Sequence, residues 1–168
     1  MAKAQYFRSD YDLALENLRE IEKIGSKKQI EEGQYWKALC KWKKGNLQVS
    51  MDELNSLLSN SSSKSILSKC HLSLAEISKE LSYQDSSLHH LKKAAKFTQD
   101  RDEKGVIYGR LAELAFELNQ YDIAKDGYSN VIAHSLAKEK IENAHLQILK
   151  ILRIQKEYRL ASRKIKAL

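Results

Sequence analysis

The sequence of 168 residues contains no proline, 6 glycines and 2 cysteines. A chain of this length contains about eight prolines at the average frequency of roughly 5%. Because proline in a helix interior costs about 3 kcal/mol, a chain without it is compatible with helix along nearly its whole length. The scarcity of glycine argues against an all-β sandwich and against a glycine-rich nucleotide-binding fold. These absences predict an all-α protein.

Residues with metal-binding or catalytic chemistry are few and badly spaced for it. Cys40 and Cys70 have neither CxxC nor zinc-finger spacing, so we expect both to be small buried helix residues. The segment Gly105–Gly109 is neither a dinucleotide fingerprint nor a P-loop, and we expect its glycines to allow close helix contact. No two histidines are four residues apart; they are His71, His89, His90, His134 and His145. We therefore expect no enzyme, no metal site and no cofactor.

The positive charge is concentrated at the carboxyl end. Residues 137–168 contain nine basic and three acidic side chains, a balance of +6, while the net charge of the whole chain is +7. A polyanion- or nucleic-acid-binding surface is one interpretation of this end, although Tyr158 is its only aromatic residue. A solvated helix face or contact with an acidic partner is the favoured one. No apolar run approaches the ~18–20 residues that cross a bilayer.

A repeat of 36 or 37 residues runs through the chain. Its anchors are Tyr11, Leu47, Gln84, Tyr121 and Tyr158. Three positions after each anchor the residue is small: Ala14, Ser50, Ser87, Ala124 and Ala161. Seven positions after it the residue is large: Leu18, Leu54, Leu91, Tyr128 and Ile165. Ten positions after it the residue is apolar: Ile21, Leu57, Ala94, Val131 and Leu168.

This size pattern predicts helical hairpins. A small residue on the second helix allows the first helix to approach closely, and the large residues that follow become buried against the next hairpin. Gly45 and Asn119 stand just before two of the anchors, where the turn between helices requires residues that tolerate the left-handed conformation. The chain is therefore predicted to form ten short helices in five hairpins.

These residues resemble the tetratricopeptide repeat, most clearly in the segment 108–128, with its Tyr-x-x-Leu-Ala helix and its Tyr121–Ala124–Tyr128 spacing. The resemblance implies a right-handed α-solenoid of about five hairpins forming a single domain over 1–168. The units are about 1–28, 29–64, 65–101, 102–138 and 139–168. The proline that often closes a unit is absent, and the period exceeds the usual 34 residues. The register also predicts a fragment of a longer array.

In this family the first helices of the hairpins line a concave groove, so the resemblance implies a protein or peptide partner bound there. The groove-facing candidates are Trp36, Trp42, Lys43, Lys79, Arg110, Glu113, Phe116, Gln147, Lys150 and Arg153. For Trp36 and Trp42 a core position is equally compatible with the register. The predicted function is a non-enzymatic protein-interaction scaffold. A polyanion-binding module and a purely structural spacer are the alternatives.

A narrower resemblance comes from residues 90–104, a basic loop followed by Glu-Lys, together with the Tyr108 unit and the turn at Gly45. These segments are similar to repeats of Bacteroidetes periplasmic lipoproteins that serve gliding motility and type IX secretion. That likeness implies a periplasmic scaffold, tethered by a lipid, in a secretion machine. Without it, a cytoplasmic location is expected.

Overall fold

The structure, a computed structural model, describes residues 1–166 apart from the side chain of Lys164. Within that range the chain forms ten α-helices and no strand, as predicted. They are α1 (Ala2–Phe7), α2 (Tyr11–Ile24), α3 (Lys27–Lys43), α4 (Leu47–Asn60), α5 (Lys64–Glu80), α6 (Gln84–Phe97), α7 (Arg101–Glu117), α8 (Tyr121–His134), α9 (Lys138–Ile154) and α10 (Tyr158–Lys166). The chain divides into two compact units, Met1–Phe97 with α1–α6 and Thr98–Leu168 with α7–α10.

Each predicted anchor is the first residue of the second helix of a hairpin. In the three central hairpins, α3–α4, α5–α6 and α7–α8, a first helix of 17 residues is followed by a second helix of 14. Polar side chains start the longer helices: Ser63 accepts from the Ile66 amide and Asp100 from the Glu103 amide at 2.7 Å. Such caps replace the hydrogen bonds that the first turn lacks.

The turn inside every hairpin has one residue in the left-handed region. It stands two positions before the anchor, and its φ is 64° at Ser9, 84° at Gly45, 61° at Ser82, 58° at Asn119 and 60° at Lys156. The prediction for Gly45 and Asn119 is therefore confirmed. In the other three hairpins a serine or a lysine adopts the same conformation, although only glycine and asparagine do so at low cost.

The small and large positions are buried as predicted in the first four hairpins. Ala14, Ser50, Ser87 and Ala124 are at most 2% exposed, which brings the paired helices close together. Leu18, Leu54, Leu91 and Tyr128 are buried against neighbouring helices. Ile165, at the same position in the last hairpin, is 60% exposed, so that prediction is wrong: among the described residues no helix follows α10 to cover it. Leu168 lies outside the described residues.

In unit 1 two clusters of buried residues join α1 to α5. One cluster contains Leu39, Leu54, Leu57, Leu74 and Ile77; a second contains Ala2, Ala14, Leu18 and Cys40. Cys40 and Cys70 are free thiols with no exposed surface, as predicted. Burial raises the pKa of Cys40 to about 11 and that of Cys70 to about 12, which keeps both as inert thiols.

Candidate partner-binding surfaces

In unit 2 the predicted residues come together on neighbouring faces of α7 and α9. We name this the α7–α9 surface; it consists of Arg110, Glu113, Phe116, Gln147, Lys150 and Arg153. They recur every three residues along each helix, which places them on one side of it. Across the two helices, the Lys150 ammonium lies over the Phe116 ring at 4.8 Å from its centroid. Gln147 donates to Asn143 at 3.3 Å on α9.

A shallow cavity of about 200 Å³ lies at the amino-terminal end of this surface. Arg110 and Glu113 of α7 and Lys140 and Asn143 of α9 line it, above the buried Tyr128. Burial lowers the pKa of the Arg110 guanidinium, and the nearby Glu113 carboxylate opposes that shift. The cavity can therefore present both charge signs to a bound peptide.

A second groove, of about 490 Å³, lies between α9 and α10. Leu146, Leu149 and Ile165 give it an apolar floor, and Lys150 and Arg153 stand beside them. Leu146 is 63% exposed, and both cations are exposed as well. The groove thus places apolar area next to Lys150 and Arg153, two cations of the α7–α9 surface.

In unit 1 the corresponding faces belong to α3 and α5. The Trp42 indole donates to Glu80 at 2.9 Å, and the Lys43 ammonium lies 4.2 Å from the centroid of the same ring. Lys79 is exposed on α5. Trp42 also packs against the core cluster around Leu74, so this side chain contributes to the core and to the surface together.

Trp36 occupies a ring cluster at the start of unit 1. Its ring meets Tyr6 at 5.1 Å and Phe7 at 5.8 Å, both edge-on, and its indole donates to Glu32 at 3.1 Å. Burial alone would raise the pKa of Glu32, but the hydrogen bonds from Lys69 and Trp36 and the charge of Lys69 lower it. Trp36 is half-buried, so it too is neither a pure core residue nor a fully open groove residue.

One polar contact was missed from the sequence. His71 on α5 and His90 on α6 are 19 positions apart, yet their Nδ1 atoms are 3.0 Å from each other. The His71 ring also stacks on Phe97 at 5.7 Å. Burial and the neighbouring His90, His89 and Lys93 lower the pKa of His71 to about 4, and burial lowers that of His90. Both rings are therefore neutral at pH 7, and one donates to the other.

In residues 1–166 no group of three or more His, Cys, Asp and Glu side chains is arranged to hold a metal ion. None of the helices described is long and apolar enough to cross a membrane.

No protein-family model and no curated protein sequence matches the chain. Solved structures do resemble it. A crystal structure of MamA aligns with a TM-score of 0.66 and 13% identity over 99% of this chain and 91% of that one. BtubC from P. vanneervenii aligns with a TM-score of 0.67 and 13% identity, over 99% and 74%. A chain of the APC/C hetero-tetramer Cut9–Hcn1 aligns at 0.58 and 14%, over 98% and 31%.

These neighbours are tetratricopeptide-repeat proteins. At such low identity the likeness concerns the backbone and carries no information about partners or activity. It agrees with the repeat register of the sequence and with the five hairpins of the structure. The chain has an all-α fold of tetratricopeptide-repeat type.

Proposed function

We propose that the chain is a non-enzymatic protein-interaction scaffold. It binds a helix or an extended peptide of a partner protein along the exposed faces of the first helices of its hairpins. The observation that carries this proposal is the α7–α9 surface. It exposes a ring, cations and apolar groups together, with Lys150 over Phe116 and Arg153 beside the groove of Leu146 and Leu149. Aromatic rings and arginine are the commonest anchors of protein interfaces. In unit 1, Trp42 with Lys43 supplies the same chemistry.

Affinity capture with the immobilised chain tests this proposal. Proteins retained from a native extract are identified, and the binding of each is then measured by calorimetry with the purified protein. The double variant Arg110→Glu plus Arg153→Glu is expected to weaken binding at least ~10-fold, because it reverses two charges of the α7–α9 surface. Arg159→Glu, an exposed arginine of α10 outside the defined surface, is the matched control. Equal binding by the double variant and the wild type would refute the assignment of this surface.

A second candidate function is polyanion binding by the last hairpin. It is supported by the excess of positive charge in residues 137–168 and by the exposure of Lys138, Lys150, Arg153 and Arg159. Titration of a labelled oligonucleotide at 20 and 200 mM salt tests it. Binding that weakens steeply with salt is the expected signature of phosphate contacts. Absence of binding at the lower salt concentration would rule this function out.

We also propose a cellular location and system for the chain. The similarity of residues 90–128 to the repeats of gliding-motility lipoproteins supports a periplasmic scaffold within a secretion machine. Fractionation of cells that produce the native protein, with an antibody against the chain, tests this location. Recovery with periplasmic or outer-membrane markers is expected. Recovery in the cytoplasmic fraction would contradict the location while leaving the scaffold proposal intact.

A further inference from the structure

The cavity of about 200 Å³ at the amino-terminal end of the α7–α9 surface corresponds to the place of a buried tyrosine in unit 1. The helices α7, α8 and α9 follow α3, α4 and α5 by two repeats and have the same lengths, so the repeat register pairs their residues one to one. Gly109 in the cavity wall is the equivalent of Tyr35. Four more residues of the wall are equivalents of Leu54, Leu57, Ile66 and Cys70, which share a core cluster with Tyr35; they are Tyr128, Val131, Lys140 and Ala144.

In unit 1 the ring of Tyr35 fills this place. The residue is 9% exposed and packs in the core cluster that α3, α4 and α5 form together. Its hydroxyl lies 3.1 Å from the Ser73 hydroxyl of α5, and the Lys69 ammonium lies 5.8 Å from the centroid of its ring. An aromatic ring with one polar atom is thus the group that this arrangement of three helices encloses.

In unit 2 the side chain at this position is missing. The first helices α3, α5 and α9 have Tyr35, Leu72 and Leu146 there, whereas α7 has Gly109. Apart from its chain neighbours, a Cβ atom added at Gly109 would meet only Val131 within 4 Å, at a distance of 3.7 Å. The Tyr128 side chain on α8 therefore does not take the room of the missing group. Since α7, α8 and α9 match α3, α4 and α5 in length, the cavity is a consequence of residue types inside unit 2, above all of Gly109.

The wall of the cavity combines apolar and charged groups. Tyr128 and Val131 form its floor and are at most 7% exposed. Arg110 of α7 and the exposed Lys140 of α9 bring positive charge to its edge. Another ring packs favourably against a tyrosine ring and beside a cation. Gln147 is the equivalent of Ser73, the partner of the Tyr35 hydroxyl, so the register provides a polar partner for a hydroxyl in unit 2 as well.

We propose that this cavity binds the side chain of a tyrosine of a partner peptide, in the place that Tyr35 has in unit 1. The ring packs on Tyr128 and Val131, and its hydroxyl bonds to Gln147. The peptide is the one that the proposed function places along the α7–α9 surface, so this binding mode rests on that function and specifies its anchor residue. A ring that fills a pocket near the centre of an interface is a typical source of binding energy.

The charge around the cavity indicates which residues flank the tyrosine. The cavity wall and the α7–α9 surface together contain one carboxylate, that of Glu113, and four cations: Arg110, Lys140, Lys150 and Arg153. A surface with an excess of positive charge favours a partner of opposite charge. The peptide therefore carries aspartate or glutamate beside its tyrosine.

Nuclear magnetic resonance of the full chain tests the proposal with a synthetic probe. The probe is the blocked pentapeptide Glu-Glu-Tyr-Glu-Glu, and the same peptide with alanine in place of tyrosine controls for charge alone. The backbone amide signals of Gly105 and Gly109 are expected to shift saturably, with a Kd on the order of 1 mM because one side chain provides most of the contact. The alanine peptide should bind at least ~10-fold more weakly. The Gly45 amide signal of unit 1 is the internal control.

Variants locate the binding. Gly109→Leu gives α7 the residue that α5 and α9 have at this position and fills the cavity, so it should weaken binding of the probe at least ~10-fold, followed by the Gly105 signal. Ser129→Leu adds the same side chain at an exposed position of α8 outside the cavity wall and should bind as the wild type does.

Lys140→Glu, at an exposed position, should weaken binding about 5-fold without a change in packing, because it reverses a charge beside the flanking glutamates. Circular dichroism verifies that each variant is folded. Equal affinities of the tyrosine and alanine peptides, or equal affinities of the wild type and a folded Gly109→Leu variant, would overturn the proposal.

The capture experiment separates this proposal from the proposed function. A captured partner that loses affinity for Arg110→Glu plus Arg153→Glu but not for Gly109→Leu would support the α7–α9 surface and overturn the tyrosine pocket. A partner whose affinity changes with neither would count against both. If the chain alone sediments as a dimer that Gly109→Leu converts to a monomer, the tyrosine comes from a second copy, which exposes Tyr83 and Tyr158, and the partner peptide is overturned as the occupant.

Discussion

At the scale of single residues, the two serines at the small position of the second helix differ in one respect. Both are buried, with Ser50 fully enclosed and Ser87 2% exposed, and both replace the alanine found at Ala14 and Ala124. The Ser87 hydroxyl donates to the Ala75 carbonyl at 2.9 Å. The Ser50 hydroxyl oxygen is buried without a hydrogen-bond partner. A buried hydroxyl that forms no hydrogen bond destabilises the folded state.

We therefore expect the two alanine substitutions to have opposite effects. Ser50→Ala should raise the free energy of unfolding by about 1 kcal/mol, because it removes an unsatisfied polar group at constant packing. Ser87→Ala should lower it by about 1 kcal/mol, because it removes the hydrogen bond from the hydroxyl to the Ala75 carbonyl. Urea denaturation followed by circular dichroism measures both. Effects of the same sign in the two variants would contradict this account.

The sequence was sufficient to predict that this position is small, because five residues at a constant offset share that property. It could not predict which serine has a partner, since that depends on the distance between a hydroxyl and a carbonyl on the facing helix. For the same reason the contact between His71 and His90 was missed. Adjacent histidines such as His89 and His90 point in different directions on a helix, and only packing against α5 selects His90.

At the scale of helices, α7 and α8 are in close contact at Gly127. A Cβ atom added there would lie 2.8 Å from the Ala112 Cβ and 3.1 Å from its Cα. The equivalent positions in the preceding hairpins hold Asn17, Glu53 and His90, which contact polar side chains: Asn17 donates to Gln5 at 2.8 Å, and Glu53 pairs with Lys41. Gly127 therefore determines the separation of this pair of helices.

Gly127→Ala is expected to lower the free energy of unfolding by about 2 kcal/mol, because the clash involves the backbone of Ala112 and cannot be relieved by rotating a side chain. Gly109→Ala is the matched control on α7. Its added Cβ would meet only Val131 at 3.7 Å, an ordinary contact, and alanine favours helix by about 1 kcal/mol over glycine. We expect this variant to be more stable than the wild type. Thermal unfolding measures the stability of both variants. A higher stability of Gly127→Ala than of Gly109→Ala would contradict this account.

The number of helices and the positions of the turns before the anchors were predictable because the repeat supplies the same information several times. Two positions depart from the pattern. Ile165 has the residue type of a buried position, but burial requires a following helix, and its exposure shows that residue type alone does not determine burial. Likewise Lys37 stands where α5, α7 and α9 have Leu74, Leu111 and Ile148; it pairs with Glu22 at 3.0 Å. The register predicts an apolar residue there.

At the scale of the whole molecule, each hairpin depends on its neighbours, so a local change in protonation affects the stability of a compact unit. The pair of His71 and His90 lies inside unit 1, between α5 and α6. The pKa of His71 is lowered to about 4 by burial and by His90, His89 and Lys93, whereas a histidine in the unfolded chain titrates near 6.5. Between these values the unfolded state binds more protons than the folded state.

Unit 1 should therefore lose stability as the pH falls from about 6.5 to 4, with His71 contributing about 3 kcal/mol of that loss. At a pH well above 6.5 the imidazoles of His71 and His90 are neutral in both states and their contribution is constant. His71→Phe keeps the stacking on Phe97 without a titratable ring, so its urea midpoint should depend less steeply on pH than that of the wild type. Gln84→Ala, which changes an exposed residue of α6 that does not contribute to the pKa shift of His71, should keep the wild-type slope. Equal slopes for all three proteins between pH 7 and 4.5 would show that the buried histidine pair does not control acid stability.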